Sequence, residues 1–309
     1  MEDLQKISDE MFSQYFENKI VPLVRDANSQ KERYRSRFWC CFWTVIFLFC
    51  INGLFVLFRT IMYNRPISVE QLIIVFVCAT LIIIWPLWQY SKLKQEDILG
   101  VFLQFYGNWQ HITEVKNSLS DIDTPTIPPH ETALITHNII GTHAGTDIEI
   151  RNTEFLTKKR RKNSGIVVDL HLPYSIEHEI LLFEKTAFQR KNKISGMINI
   201  DEQIYIPAAG YFNILSPIAR APKHILCSAF FESILDLKEE FETKRISIWI
   251  KDRHIKIFFE GANIYFDHSN IWSKKINEAQ YKQLHNQFMG IFRFVEIMQE
   301  LIVRNRDTE

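Results

Sequence analysis

Four side chains able to hold a metal ion or move a proton fall within one short stretch, HNIIGTHAGTDIE: His137, His143, Asp147 and Glu149. Alternation along a strand would place Asp147 and Glu149 on one face, and two nearby imidazoles could complete a mixed oxygen and nitrogen ligand shell. The spacing matches no zinc pattern in which two histidines stand one helical turn apart beside a glutamate. Polar residues at a strand edge and turn account for the same stretch without an ion. The cluster defines an enzyme reading and fixes no reaction, so no catalytic, metal or cofactor residue is assigned from it.

The other nucleophiles and glycines carry less. Cys227 has His224 close by in sequence, but it lies beside the apolar face of an expected helix, which suits a structural thiol better than a reactive one. Gly141 and Gly145 are not followed by Gly-Lys-Ser/Thr or by a helix, so they read as turn glycines and not as a phosphate loop. Ser164, Ser195 and Ser228 lack the glycine frame of a nucleophile elbow.

The densest local charge is Lys158-Lys159-Arg160-Arg161-Lys162, between strand-like runs and ahead of Asn163-Ser164-Gly165, hence on a loop. Near an anionic leaflet each such residue is worth about 1 kcal/mol. The loop is thus a candidate contact for anionic lipid head groups or another protein, with a merely solvated loop as the alternative. The chain as a whole holds 36 Lys and Arg against 36 Asp and Glu. That balance lacks the one-sided basic surface that nucleic acid requires, and nucleic acid is excluded as a partner.

What must position these residues is set by hydropathy. Phe38 to Phe58 reads FWCCFWTVIFLFCINGLFVLF, and Leu72 to Trp88 reads LIIVFVCATLIIIWPLW, neither with a charged residue. At 1.5 Å per residue the first covers roughly 30 Å, the thickness of a bilayer's hydrocarbon. Trp39, Trp43, Tyr63, Trp85, Trp88 and Tyr90 gather near the ends, where interfacial aromatics sit. Asn52, Gly53 and Thr80 are expected where the two helices touch. The first thirty residues have no basic start and no cleavage-site pattern, so the first span is expected to stay in the mature protein.

The expected organisation is an amphipathic segment over 1–37, a transmembrane hairpin over 38–90 (spans 38–58 and 70–88), a juxtamembrane helix and linker over 91–130, and a soluble domain over 131–309. Lys31, Arg33, Arg35, Arg37, Lys92 and Lys94 flank the hairpin's open end, against Arg59 and Arg65 in its loop. That bias places both termini and the soluble domain in the cytoplasm. Four of the five cysteines lie in the apolar block, so the soluble part has no disulfide framework.

Pro22 is expected to end or kink the first helix, and Asp97 to His111 reads as a helix leaving the membrane. Thr146–Ile150, Ile166–Leu172, Glu179–Phe183 and Gln203–Pro207 read as strands. RISIWI-KDRH-IKIFF reads as a hairpin, because each half alternates. Pro222–Phe241 and Asn277–Arg304 read as helices. On the last, Tyr281, Leu284, Phe288, Ile291, Val295, Met298 and Ile302 make a heptad seam, able to pair with a second copy or to pack on its own sheet. The fold class is α+β with a largely antiparallel sheet and a long C-terminal helix.

Glu96, Asp97, Gly100 and Phe102, then Gly145, Thr146, Asp147 and Glu149, then SPIARAPKHILCSAFFESILDL, follow the two apolar runs in order. In that order the chain resembles the bacterial domain of unknown function 3137 family. The resemblance implies a multi-pass protein of a bacterial inner membrane, and an architecture without a reaction. The function expected is a membrane-anchored, non-enzymatic interaction or scaffold module, with an enzyme built around His137, His143, Asp147 and Glu149 as the second reading.

Overall fold

The computed structural model describes residues 10–63, 69–92, 98–112, 125–127, 132–156, 162–185, 196–200, 204, 206–218, 222–262 and 275–306. The chain divides into two compact units: Met1–Val101 with Phe266–Glu278, and Phe102–Tyr265 with Ala279–Glu309.

In the first unit, a π-turn (Phe16–Ile20) leads directly into α1 (Val21–Tyr63). Pro22 therefore does not end the helix. A proline removes one backbone donor and needs room against the preceding carbonyls. The wider turn before it, closed by Val21 N–H on the Phe16 carbonyl, supplies a register that tolerates both. Among the described residues, the helix running from Glu10 to Val56 is the one long and apolar enough to cross a membrane. α2 (Val69–Lys92) contains Pro86 well inside it, and its apolar part, Val75–Tyr90, is shorter.

α1 and α2 are in contact, with the Tyr34 and Tyr90 rings 5.7 Å apart. Their polar side chains bond within their own helices. Thr44 donates to the Cys40 carbonyl and Thr80 to the Phe76 carbonyl, both at 2.8 Å, and Asn52 donates to the Leu48 carbonyl at 3.0 Å. That back-bonding removes the cost of a bare polar group in an apolar helix. Gly53 was expected at a helix contact, but a Cβ there would meet nothing within 4 Å.

The second unit is built on a seven-stranded antiparallel sheet. Its strands are β1 (Gln110–Ile112), β2 (Thr132–His143), β3 (Thr146–Leu156), β4 (Lys162–Glu184), β5 (Ile198–Asn199), β6 (Phe212–Ser216) and β7 (Arg245–Glu260). The order is β1-β2-β3-β4-β6-β5, with β7 on the other edge of β4. α3 (Ile98–Gln104) is shorter than the helix expected over Asp97–His111, since the chain turns at Gly107 (φ +89) and His111 lies in β1. α4 (Ser228–Glu240) and α5 (Glu278–Arg306) complete the framework.

The expected hairpin over RISIWI-KDRH-IKIFF is a single strand. β7 runs unbroken along β4 from Gly165↔Glu260 to Phe183↔Ser247, with register shifts at His171/Ile176 and Ile176/Ile180. The error has a physical source. Ile250 and Ile255 are an odd number of residues apart, so a regular strand would bury one and expose the other, whereas a hairpin would not. Here Asp252 at φ +54 and the bulges in β4 reset the alternation, and Ile246, Ile248, Ile250, Ile255, Ile257 and Phe259 are all buried. The expected strands Ile166–Leu172 and Glu179–Phe183 are two parts of the same β4. Of Gln203–Pro207, the described residues form no strand, and Pro207 opens a 3-10 turn.

One sheet face carries Ile148, Ile150, Ile166, Val168 and Leu170, at most 2% exposed, and forms the core side; on the other, Phe155, Val167 and Phe258 pack with Ile127 and Ile135 into a second buried cluster. All seven residues of the α5 seam are buried within the chain. Trp109 lies tilted against Phe288 and Phe292, with ring centroids 4.8 and 5.6 Å away, and Tyr106 hydrogen-bonds His285 Nδ1 at 2.6 Å. Gly141 is not in a turn. It forms the floor under Trp109, whose ring would lie 2.1 Å from a Cβ placed there.

Candidate functional site

The β2–β3 hairpin turns at Ala144 and Gly145, both at positive φ (49° and 76°), the backbone of a two-residue primed turn. Residues directly opposite share a face. Asp147 faces Thr142 and Glu149 faces Ile140, whereas His143 faces Thr146 and His137 faces Asn152. The four residues singled out in the sequence therefore divide between the two sides of the sheet.

On the core side, His143 stacks on Phe292 at 4.1 Å and bonds Glu296 Oε1 at 3.0 Å. His137 meets His111 Nε2 at 3.2 Å through its Nδ1. On the other side, Asp147 is exposed and Glu149 belongs to a ladder that sequence reading missed. Asn138 Nδ2 donates to Glu149 Oε1 at 2.8 Å, and Arg151 donates to Glu149 Oε2 at 3.0 Å. Arg151 also donates to Asp169 Oδ2 at 3.3 Å, and Lys256 Nζ approaches the same oxygen at 3.3 Å. His254 Nδ1 lies 3.6 Å from Asp169 Oδ1.

This row crosses β2, β3, β4 and β7 because the register aligns it: Asn138↔Arg151, Glu149↔Asp169, Asp169↔Lys256. Two carboxylates alternate with two cations, and both Glu149 oxygens are engaged. Among the described residues no three His, Cys, Asp or Glu side chains gather where an ion could be held. The arrangement can fix the strands in register and present charge in a set order.

The basic run falls elsewhere. Lys158, Lys159, Arg160 and Arg161 lie outside the described residues, and Lys162 is the first residue of β4. Cys227 is half-buried at the N-cap of α4.

A second electrostatic feature joins α4 to α5. Glu240 hydrogen-bonds Arg293 and covers Gly290, where a Cβ would fall 1.6 Å from Glu240 Oε2. Burial pushes the Glu240 carboxyl up to about 7, against the pull of the Arg293 guanidinium and with help from the Asp236 charge.

No protein-family model matches the chain, and no curated protein matches it. Among solved structures it is similar to the crystal structure of the mycobacterial trehalose monomycolate transport factor A, TtfA. The identity is 13%, the TM-score 0.37, and the match covers 69% of this chain and 94% of that one. A likeness at that level sets neither fold nor function.

Proposed function

We propose that the chain is a membrane-anchored interaction module without catalytic activity of its own. In this reading α1 and α2 cross a bacterial inner membrane as a hairpin, and the α+β unit stands on the cytoplasmic side. The observation that carries it is the bareness of the apolar side chains. In α1, Phe47, Leu54, Phe55, Phe58 and Ile61 are 58–72% exposed, and in α2 Phe76 and Leu81 are 66% and 64% exposed. Burying one such side chain is worth about 1.5–3 kcal/mol, so a water-soluble protein would fold them inward, whereas lipid gives them a solvent of their own kind. The non-enzymatic part rests on the division of His137 and His143 from Asp147 and Glu149, and on the ladder that occupies Glu149. The cytoplasmic side rests on six flanking basic residues against two.

The test uses intact cells and full-length chain. The protein should stay with membranes through alkaline carbonate washing. A tag after Glu309 should resist external protease, while one inserted at Asn64 should be cut. Release by carbonate overturns the anchor; a cut at the C-terminal tag overturns the orientation.

A further inference from the structure

The described part of the first unit contains a cleft of about 290 Å³ on the stretch of α1 just before its uncharged run. Lys31, Arg35 and Lys275 line it together with Glu32, Ser36 and Trp39. Three cations thus face one carboxylate. Lys31, Glu32, Arg35, Ser36 and Trp39 follow one another at alternating steps of one and three, which places them on one stripe of the helix. Lys31 is only 4% exposed, so its stem is packed into the wall of the cleft and its position is fixed.

Lys275 arrives from far along the chain and is held there by a clamp. The Asn28 side-chain amide donates to the Ile276 carbonyl and accepts from the Ile276 N–H, both at 2.8 Å. Lys275 then pairs with Glu32, and Arg25 lies 3.7 Å from Glu278. Lys275 engages Glu32, so among the described lining residues Lys31, Arg35 and Lys275 stand with one carboxylate.

Depth selects the ligand. At 1.5 Å per residue, Arg35 lies about 4.5 Å and Lys31 about 10.5 Å before Phe38, where the uncharged run begins. In the membrane reading Arg35 falls in the head-group layer, which adds roughly 5–8 Å to each side of the hydrocarbon, and Lys31 lies just beyond its outer edge, within a lysine stem's reach of it. Trp39, half exposed, stands at the boundary where indole rings settle. A guanidinium and two ammonium groups among the lining side chains suit the chemistry of a phosphate.

We propose that this cleft binds the phosphate of an anionic phospholipid head group, making the foot of α1 a lipid site and not only a stem. The proposal rests on the membrane anchoring of α1. A free phosphate ester shares the chemistry and is separated from the lipid by the test.

Full-length protein in nonionic detergent is titrated with phosphatidylglycerol, phosphatidylcholine or inorganic phosphate, and bound molecules are counted by native mass spectrometry. Phosphatidylglycerol should bind, phosphatidylcholine should bind more weakly, and millimolar phosphate should not displace the anionic lipid. Arg35→Gln and Lys275→Gln, both at exposed side chains, should each weaken binding about fivefold. Glu32→Gln should strengthen it, an opposite sign that general unfolding cannot mimic. A variant with Lys158 to Lys162 all changed to Gln should bind as the parent does. Unchanged phosphatidylglycerol binding in Arg35→Gln/Lys275→Gln overturns the site, and displacement by inorganic phosphate overturns the lipid. Carbonate-resistant membrane retention is scored in the same preparations, so failure of the anchor is told apart from failure of the cleft.

Discussion

Glu240→Gln will make the stability of the fold less dependent on pH, and the sign follows from where the proton sits. The folded carboxyl titrates at about 7 instead of 4.5 because burial disfavours its charge. Between those values the native state binds more protons than the unfolded chain, so stability falls as pH rises and levels off above 7. From pH 5 to pH 8 the loss from this one group is roughly 2.5 kcal/mol. Glutamine keeps the shape and the acceptor facing Arg293 but cannot ionise. The variant should match the parent near pH 5 and surpass it at pH 8. For a unit of this size about 1 kcal/mol moves Tm by 2–4 °C, so the gap between parent and variant should widen by roughly 5–10 °C. Thermal unfolding of both full-length proteins in the same detergent at pH 5 and pH 8 measures it, and the double difference cancels every other titrating group. A gap that does not change with pH, or that narrows at pH 8, would refute the desolvation argument and leave the Arg293 pair dominant.

Arg151→Met removes the cation between Glu149 and Asp169, which face each other across β3 and β4, and should cost about 3 kcal/mol. Adding Glu149→Gln and Asp169→Asn should recover most of it, as read by thermal unfolding. Gly141→Ala drives a methyl into the Trp109 ring and should cost about 1–3 kcal/mol, with a change in tryptophan emission that a surface substitution would not produce. Ala144→Asn places a residue tolerant of positive φ in the β2–β3 turn and should raise stability by about 1 kcal/mol.

Local pattern made the helices and the class of fold legible, and pairing decided what was not. The α5 seam was visible because steps of three and four repeat from Tyr281 to Ile302, and all seven residues are buried. β7 was misread because Asp252 and the bulges of β4 repair an alternation that the sequence alone breaks. The polar stretch from His137 to Glu149 looked convergent because nearness in sequence hides which face a residue takes. Only register shows that Glu149 meets Asn138, Arg151 and Asp169 while the histidines turn to the core side. Alternation could have put Glu149 and Arg151 together, but Asp169 and Lys256 enter through strand neighbours that no local signal names. Lys275 belongs to the cleft on α1 for the same reason: the Asn28 clamp spans 248 residues.

The long pairing of β4 with β7 sets a schedule for the nascent chain. α1 and α2 leave the ribosome before any strand of the sheet. β2, β3 and the first half of β4 can then zip as a local meander. The other edge of β4 stays open until Arg245–Glu260 is synthesised, about 60 residues after Glu184. At roughly 5–20 residues per second that is about 3–12 seconds with a row of unsatisfied amides and carbonyls on display. Once β7 docks, the same bulges that disguise it in the sequence oppose any slipped register, since only one alignment buries both halves of the strand.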